Sequence, residues 1–250
     1  CEQFTDTPVD QTMITPVADR AAEHRFFTTL AVAMLGVTVA GFARSYLLVP
    51  QWGHPADTLP YTTLVHVHAA VAFGWCLLFV IQSALVAAGR TRHHRRLGVL
   101  GAVWYLLLVL LGPFVATHSV ARQGAPPGEL AFLAVSGGNV LAYTALFGAA
   151  LHWRRRVDVH KRLMVLGMVA MLTAPFGRLL DFPYLLPHVI GPGLAVVAMA
   201  WWDVRAFGRL HPVTKYGGPA ILAWELLPNA YMYSSWWMHT ARWLIATTAP

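Results

Sequence analysis

The chain alternates long apolar runs with short polar segments, and this pattern predicts membrane-spanning helices. Each run extends for about twenty residues or more, the length that an α-helix needs to cross the hydrocarbon core of a bilayer. We therefore predict an all-α, polytopic integral membrane protein with seven transmembrane helices. Their predicted ranges are 26–49, 62–89, 97–121, 130–152, 161–180, 184–204 and 219–246.

The polar N-terminal segment and the prolines modify this simple prediction of seven straight transmembrane helices. Residues 1–25 are predicted to form a polar cytoplasmic segment, and 26–250 a single transmembrane domain. Pro192 predicts a bend in the sixth helix, and Pro228 predicts a kink in the seventh. Broken backbone at membrane depth must be buried in protein or face water, so neither helix is predicted to be a simple lipid-facing rod.

The positive charges predict the orientation of the chain. Of the 18 Lys and Arg residues, 14 lie before the first helix, in the segments after the second, fourth and sixth helices, or at the first two positions of the fifth helix, Lys161 and Arg162. Cytoplasmic loops carry such an excess, so the N-terminus is predicted in the cytoplasm and the C-terminus outside. We predict a multi-pass protein of the bacterial inner membrane, with anionic lipids at its basic cytoplasmic face.

Composition agrees with a membrane location and excludes other classes. The chain is 57% hydrophobic and only 12% charged, whereas a soluble domain carries about 25% charged residues. The net charge of +7 sits in short loops, so it indicates topology and not nucleic-acid binding. Two cysteines make no disulfide framework.

A short motif occurs twice. Residues 94–103 read HRRLGVLGAV and residues 160–169 read HKRLMVLGMV, with seven of the ten positions identical. We predict an internal repeat in which helices 2–3 superpose on helices 4–5, with His94 over His160, about an axis along the membrane normal. The alternative is that two basic helix starts simply look alike.

The chain contains twelve histidines, which is many for a membrane protein. Neutral imidazole is a good ligand for haem iron, copper or zinc, so these residues are candidate cofactor ligands. Seven-residue spacing places residues on one stripe of a helix. Three stripes each direct an outer-end histidine inward: His68 with Trp75 and Gln82, His118 with Trp104 and Leu111, and His239 with Glu225 and Met232. With His188, these histidines predict an outer cofactor pocket, in which His68, His118 and His188 would be the metal ligands. Alternatively, each histidine only hydrogen-bonds a carbonyl or water near a helix end.

Other polar residues fall within the apolar runs, and such residues are functional hypotheses by default. They are Arg44, Gln82, Glu225 and the pair of Arg178 and Asp181 at the end of the fifth helix. Arg44 alternatively extends to the outer headgroups, and Glu225 alternatively pairs with a loop arginine.

The inner end holds a second candidate site. His94 and His160 are related by the repeat and flanked by arginines, so we predict that they hold one cofactor between helices 3 and 5. Alternatively, such basic helix starts bind anionic headgroups or only maintain topology. His93 and His211 are interpreted as ordinary loop residues.

Several well-characterised motifs are absent from the sequence. There is no HExxH helix, no CxxCH haem attachment and no phosphate-binding loop. The two lysines lie at the first position of the predicted fifth helix, Lys161, and in the loop before the seventh, Lys215. No lysine lies in the middle of a predicted helix to hold a Schiff-base chromophore, so seven helices do not imply a rhodopsin.

Several motifs that the sequence does contain resemble those of a known group of proteins. H-x6-W-x6-Q on one helix, H-R-R-L-G opening the next and H-K-R-L-M opening a later one resemble a group of largely uncharacterised bacterial polytopic membrane proteins. The similar D-x5-R-x-H-P-x-T pattern comprises Asp203, Arg209, His211, Pro212 and Thr214. The resemblance covers most of residues 40–215 and implies a membrane location, without implying a settled activity.

The chain is more distantly similar to the di-haem cytochrome b family. That similarity implies haems held by paired histidines at both ends of a four-helix core, where His94 and His160 would supply the inner pair. His68 corresponds through the repeat offset to Ala134, so His118 or His188 would have to complete an outer pair.

Three hypotheses for function follow. The leading one is a membrane redox protein that binds haem b or a transition metal and exchanges electrons with quinone or a partner complex. The second is a cofactor-free accessory or scaffolding subunit of a larger membrane complex. The third is a metal-dependent enzyme that acts on lipid at the outer histidines. An absorption spectrum separates the first from the others.

Overall fold

The computed structural model describes residues 19–49, 59–180 and 185–248, without the side chains of 185–188. This part of the chain is helical, with two π turns at Ala43–Leu47 and Val213–Gly217. The helices are α1 (Arg20–Phe42), α2 (Thr63–Ala87), α3 (Thr91–Arg122), α4 (Pro127–His152), α5 (Val157–Leu180), α6 (Leu185–Phe207), α7 (Gly218–Leu226), α8 (Pro228–Tyr231) and α9 (Ser235–Thr248).

Within the described ranges, six helical segments are long and apolar enough to cross a membrane, judged by length and composition. They are Arg20–Leu47, Thr63–Ala87, Thr91–Arg122, Pro127–His152, Val157–Leu180 and Val189–Phe207. These segments correspond to the first six predicted helices. The prediction of an all-α, multi-pass membrane protein is therefore confirmed at this level.

Several helices begin earlier than predicted. α1 begins at Arg20 and not at 26, α3 at Thr91 and not at 97, and α5 at Val157 and not at 161. The basic segment after α2 is therefore mostly the first turns of α3. Arg and Lys have good helix propensity, so a helix continues through charged residues where the apolar run has already ended.

The predicted seventh helix over 219–246 is wrong as a single rod. The chain forms α7 and α8 in succession, then turns before α9 starts at Ser235. Pro228 lies at the junction of α7 and α8, and the Ser234 hydroxyl accepts a hydrogen bond from the Trp237 amide at 3.3 Å, which caps the new helix. The predicted stripe of Glu225, Met232 and His239 does not exist, because these residues do not share one helix.

The first five helices form a closed ring. α1 packs on α2, α2 on α3, α3 on α4, α4 on α5, and α5 returns to α1. α6 packs on α5, and α7 contacts α4, α5 and α6. Buried aromatic residues fill the ring at Trp75, Tyr105, Tyr143 and Phe147, with ring centroids 4.5–6.0 Å apart.

The backbones of α1 and α5 meet at a glycine. A Cβ atom built on Gly41 would clash with the carbonyl group of Pro175, which is backbone and cannot rotate away. Small residues allow such close approach between membrane helices. Gly36, one and a half turns earlier on α1, has no atom within 4 Å of its ideal Cβ position.

This contact predicts opposite outcomes for two similar substitutions. Gly41→Ala should lower the free energy of unfolding by about 1–3 kcal/mol, because the helices must separate to admit the methyl group. Gly36→Ala should leave stability unchanged or raise it by up to about 1 kcal/mol, because alanine is the better helix former. Thermal unfolding in detergent measures both, and equal effects would contradict the close approach.

Candidate functional site

A buried ion pair joins α5 to α6 at one end of the bundle. Arg162 and Asp203 are 1% and 0% exposed. The Arg162 Nε donates to Asp203 Oδ1 at 3.1 Å, and Nη2 of the same guanidinium donates to the same oxygen. Arg162 Nη1 also donates to the Asp158 carbonyl at 2.9 Å. The guanidinium is thus bonded on both sides, as a buried cation requires.

His211 closes these contacts into a ring. Its backbone N–H donates to Asp203 Oδ2 at 3.1 Å, and its Nε2 lies 3.1 Å from Asp158 Oδ2. The Val213 N–H donates to His211 Nδ1 at 3.2 Å, so the ring proton belongs on Nε2 and is donated to the Asp158 carboxylate. The interpretation of His211 as an ordinary loop residue is wrong, because His211 connects the start of α5, the end of α6 and the segment before α7.

We name the set Asp158, Arg162, Asp203 and His211 the inner clamp. In the sequence, Asp203 and His211 belong to the D-x5-R-x-H-P-x-T pattern, and Arg162 is one of the basic residues that predict topology. The ion pair between Arg162 and Asp203 could not be predicted from their spacing along the chain, because the two side chains meet only when α5 and α6 pack together. Cation–ring contacts surround the clamp, since the Arg162 guanidinium lies 5.9 Å from the Phe27 ring centroid and 5.8 Å from that of Phe207.

His94 and His160 lie at the same end of the bundle. Each is the fourth residue of its helix, α3 and α5 respectively. Both are half-buried, and their imidazoles are close enough to interact electrostatically. The two histidines therefore share one end of the bundle, and the cofactor between them stays a prediction.

Each of these histidines is oriented by the helix that precedes it. In the amide orientation that satisfies its neighbours, Gln82 donates to His94 Nδ1 at 2.8 Å and accepts from the Gly98 N–H at 3.0 Å. His160 Nδ1 lies 2.8 Å from the Ala150 carbonyl and must donate to it. The two neutral imidazoles are therefore opposite tautomers: His94 carries its proton on Nε2, and His160 carries its proton on Nδ1.

The two histidines fit a cofactor unequally. A metal-binding histidine usually donates its second ring N–H to a carbonyl, which leaves the other nitrogen free to bind. His160 has this arrangement, with a lone pair on Nε2. His94 does not, because its Nε2 carries the proton while Gln82 donates to Nδ1. The residues thus fit one ligand and one hydrogen-bond donor better than the pair of ligands that the resemblance implied.

The outer histidines occupy different environments. His68 is half-buried, and its Nδ1 is enclosed without a hydrogen-bond partner in the described part of the chain. His118 is half-buried and stacks on Phe114, with ring centroids 6.3 Å apart. His239 is exposed on α9. The side chain of His188 lies outside the described residues, so the predicted outer pocket stays a prediction.

The remaining outer polar residues are near the protein surface. Arg44 is exposed within the π turn that follows α1. Arg178 donates to the Ala174 carbonyl at 3.1 Å, and its guanidinium lies 4.6 Å from the Phe42 ring centroid, which links α5 to α1. Asp181, the predicted partner of Arg178, lies outside the described residues.

Glu225 occupies the middle of the bundle. It is 0% exposed, and its Oε2 accepts a hydrogen bond from the Thr173 hydroxyl at 2.7 Å. The Asn139 amide, in the orientation that satisfies it, donates to the same oxygen at 3.1 Å. Next to this carboxyl group, Trp224 Nε1 donates to the Gly138 carbonyl at 2.8 Å. Glu225 therefore joins α7 to α4 and α5, and sequence reasoning had missed both of its partners.

In the portion of the chain that the structure describes, no three His, Cys, Asp or Glu side chains are grouped so that they could hold a metal ion. Comparison of the chain with protein-family models, with curated proteins and with solved structures finds no match.

Proposed function

We propose that this protein is a redox protein of the bacterial cytoplasmic membrane that holds haem b or a transition metal at its inner end. The observation that carries the proposal is the hydrogen bond from His160 Nδ1 to the Ala150 carbonyl, which leaves Nε2 with a lone pair directed away from that bond. His94, beside it, presents an N–H at Nε2. Quinone or a partner complex would be the electron partner.

The proposed topology places this site at the cytoplasmic face. The loops at this end are the basic ones, as expected for the cytoplasmic side. The equivalent positions of His94 and His160 in α3 and α5 support the internal repeat. A seventh crossing would run from Val213 to Tyr231, about 28 Å of helical rise. Its inner end is held by His211, and its outer end packs near Ala131.

The chain's own residues would divide the work at this site. His160 would bind the iron or metal ion through Nε2, with its orientation held by the Ala150 carbonyl. His94 would donate a hydrogen bond to the bound group, with its orientation held by Gln82. A bound haem would supply reversible one-electron chemistry, which transfer to or from quinone requires.

An absorption spectrum tests this proposal. Protein purified in mild detergent from cells supplied with haem should show a Soret band that shifts on reduction. His160→Ala should abolish the band, because it removes the ligand nitrogen, whereas His94→Ala should shift the band and keep it. His93→Ala is the matched control, since His93 is exposed one residue away and should leave the spectrum unchanged.

Other outcomes would favour the rival hypotheses. If the purified protein has no Soret band and no stoichiometric transition metal, the redox proposal fails and a cofactor-free accessory subunit becomes the better hypothesis. If elemental analysis finds zinc that is retained in His160→Ala and lost in His68→Ala, the redox proposal also fails, in favour of the metal-dependent lipid enzyme.

A further inference from the structure

α9 has one covered face and one open face. Trp237, Met238, Ala241 and Ile245 pack against the α3–α4 hairpin, and Ala241 is fully buried. Trp236, His239, Arg242 and Trp243 are exposed on other sides of the helix. Trp237 Nε1 donates to the Leu130 carbonyl at 3.1 Å, which fixes the start of α9 near the beginning of α4.

The partners of α9 lie toward the loop end of the α3–α4 hairpin. The cluster includes Ala116 and Val120 on α3, Ala125 in the loop, and Leu130 and Leu133 on α4. All of these residues lie within about 9 Å of helical rise from the loop that joins the two helices. Trp237 and Met238 also pack in the cluster that contains Ala134 and Val135, so the contacts of α9 extend to about 12 Å of helical rise from the loop.

The length of α9 is a second observation. Ser235–Thr248 has 14 residues, about 20 Å of helical rise. The hydrocarbon core of a bilayer is about 30 Å thick. α9 is therefore shorter than a membrane-spanning helix needs to be.

We propose that α9 is an interfacial helix that lies in the phospholipid headgroup layer at the α3–α4 loop end of the bundle. Its exposed indoles, Trp236 and Trp243, are amphipathic groups that prefer this layer. Trp236 is also held by stacking on Tyr231, with ring centroids 5.2 Å apart. Arg242 supplies a cation that complements lipid phosphate. This proposal is independent of the histidine pair.

Spin-label depth measurements test the proposal. Nitroxide labels are placed singly at Trp236→Cys and Trp243→Cys, with Cys1→Ser and Cys76→Ala removing the native thiols. The labelled protein is reconstituted in vesicles of phosphatidylethanolamine and phosphatidylglycerol, and collisions with oxygen and a nickel chelate give each depth. The two labels should lie at nearly the same depth, near the phosphates.

A matched pair on α3 calibrates the result. Val103 and Leu110 are exposed and have the same seven-residue separation, so labels at Val103→Cys and Leu110→Cys should differ in depth by about 10 Å. A similar difference between the labels at 236 and 243 would overturn the proposal and make α9 a membrane-spanning segment. Labels at both α9 positions shielded from oxygen and nickel, with dipolar broadening between chains, would also overturn it and indicate that a second copy covers this face.

Discussion

Asp203→Asn should lower the free energy of unfolding by about 3–5 kcal/mol, the cost of leaving a buried charge without its counter-ion. The Arg162 guanidinium is 1% exposed, so water cannot replace the lost carboxylate. The substitution also weakens the acceptor for the His211 N–H, which attaches the segment before α7 to α6. Unfolding in mixed detergent micelles, followed by circular dichroism, measures the change.

An exposed ion pair on the same protein provides the control. Asp19 and Arg25 lie 3.8 Å apart, with side chains 68% and 72% exposed. Asp19→Asn should change stability by less than about 1 kcal/mol, because solvent screens this pair. Asparagine also preserves the cap at the start of α1, where Asp19 accepts from the Ala21 N–H at 2.9 Å.

A double variant separates ion pairing from packing. Arg162→Met together with Asp203→Leu should cost less than the sum of the two single substitutions, because no unpaired charge remains. Additive losses would contradict the assignment of the inner clamp as a coupled pair. A loss below about 1 kcal/mol for Asp203→Asn would also contradict it, since that is the effect of an exposed pair.

Glu225→Leu should lower the free energy of unfolding by about 2–4 kcal/mol, because the buried Thr173 hydroxyl and Asn139 amide both lose an acceptor. Glu225→Gln should cost less, since its side-chain carbonyl still accepts from both groups. The same micelle titration measures the two variants.

A second carboxylate provides the comparison for Glu225. Glu129 is half-buried in the first turn of α4, where its negative charge interacts with the helix terminus and electrostatically with Arg178. Glu129→Gln should therefore change stability by less than about 1 kcal/mol. If Glu225→Leu proves as mild as Glu129→Gln, Glu225 does not hold α7 to α4 and α5.

Sequence reasoning could predict what depends on length and hydropathy. Apolar runs located the six long helices, because a bilayer imposes a minimum span on any helix that crosses it. They did not locate the helix starts, since α3 begins in basic residues that favour helix as strongly as many apolar ones do. The prediction of a single seventh helix was wrong for a local reason: Pro228 and Ser234 divide one apolar run into three helices.

The candidate sites were predictable only in part. His94 and His160 could be paired from the repeated motif, since identical helix starts place identical residues at equivalent positions. Their opposite tautomers could not be predicted, because the partners Gln82 and Ala150 come from preceding helices at unequal distances along the chain. The contact of Glu225 with Thr173 depends on how α7 packs on α5, which no spacing encodes.

The position of the inner clamp along the chain has a consequence for biosynthesis. Its members lie between Asp158 and His211, so all of them have been synthesised before α7 emerges from the ribosome. Arg162 lies near the start of α5 and Asp203 near the end of α6, which meet at one end of the bundle. Each charge can therefore remain in the headgroup region until its partner arrives. A nascent chain ending after Val213 therefore already contains every group that forms the hydrogen bonds of the inner clamp. α7 and α8 would then pack against a bundle in which α5 and α6 are already joined by that ion pair.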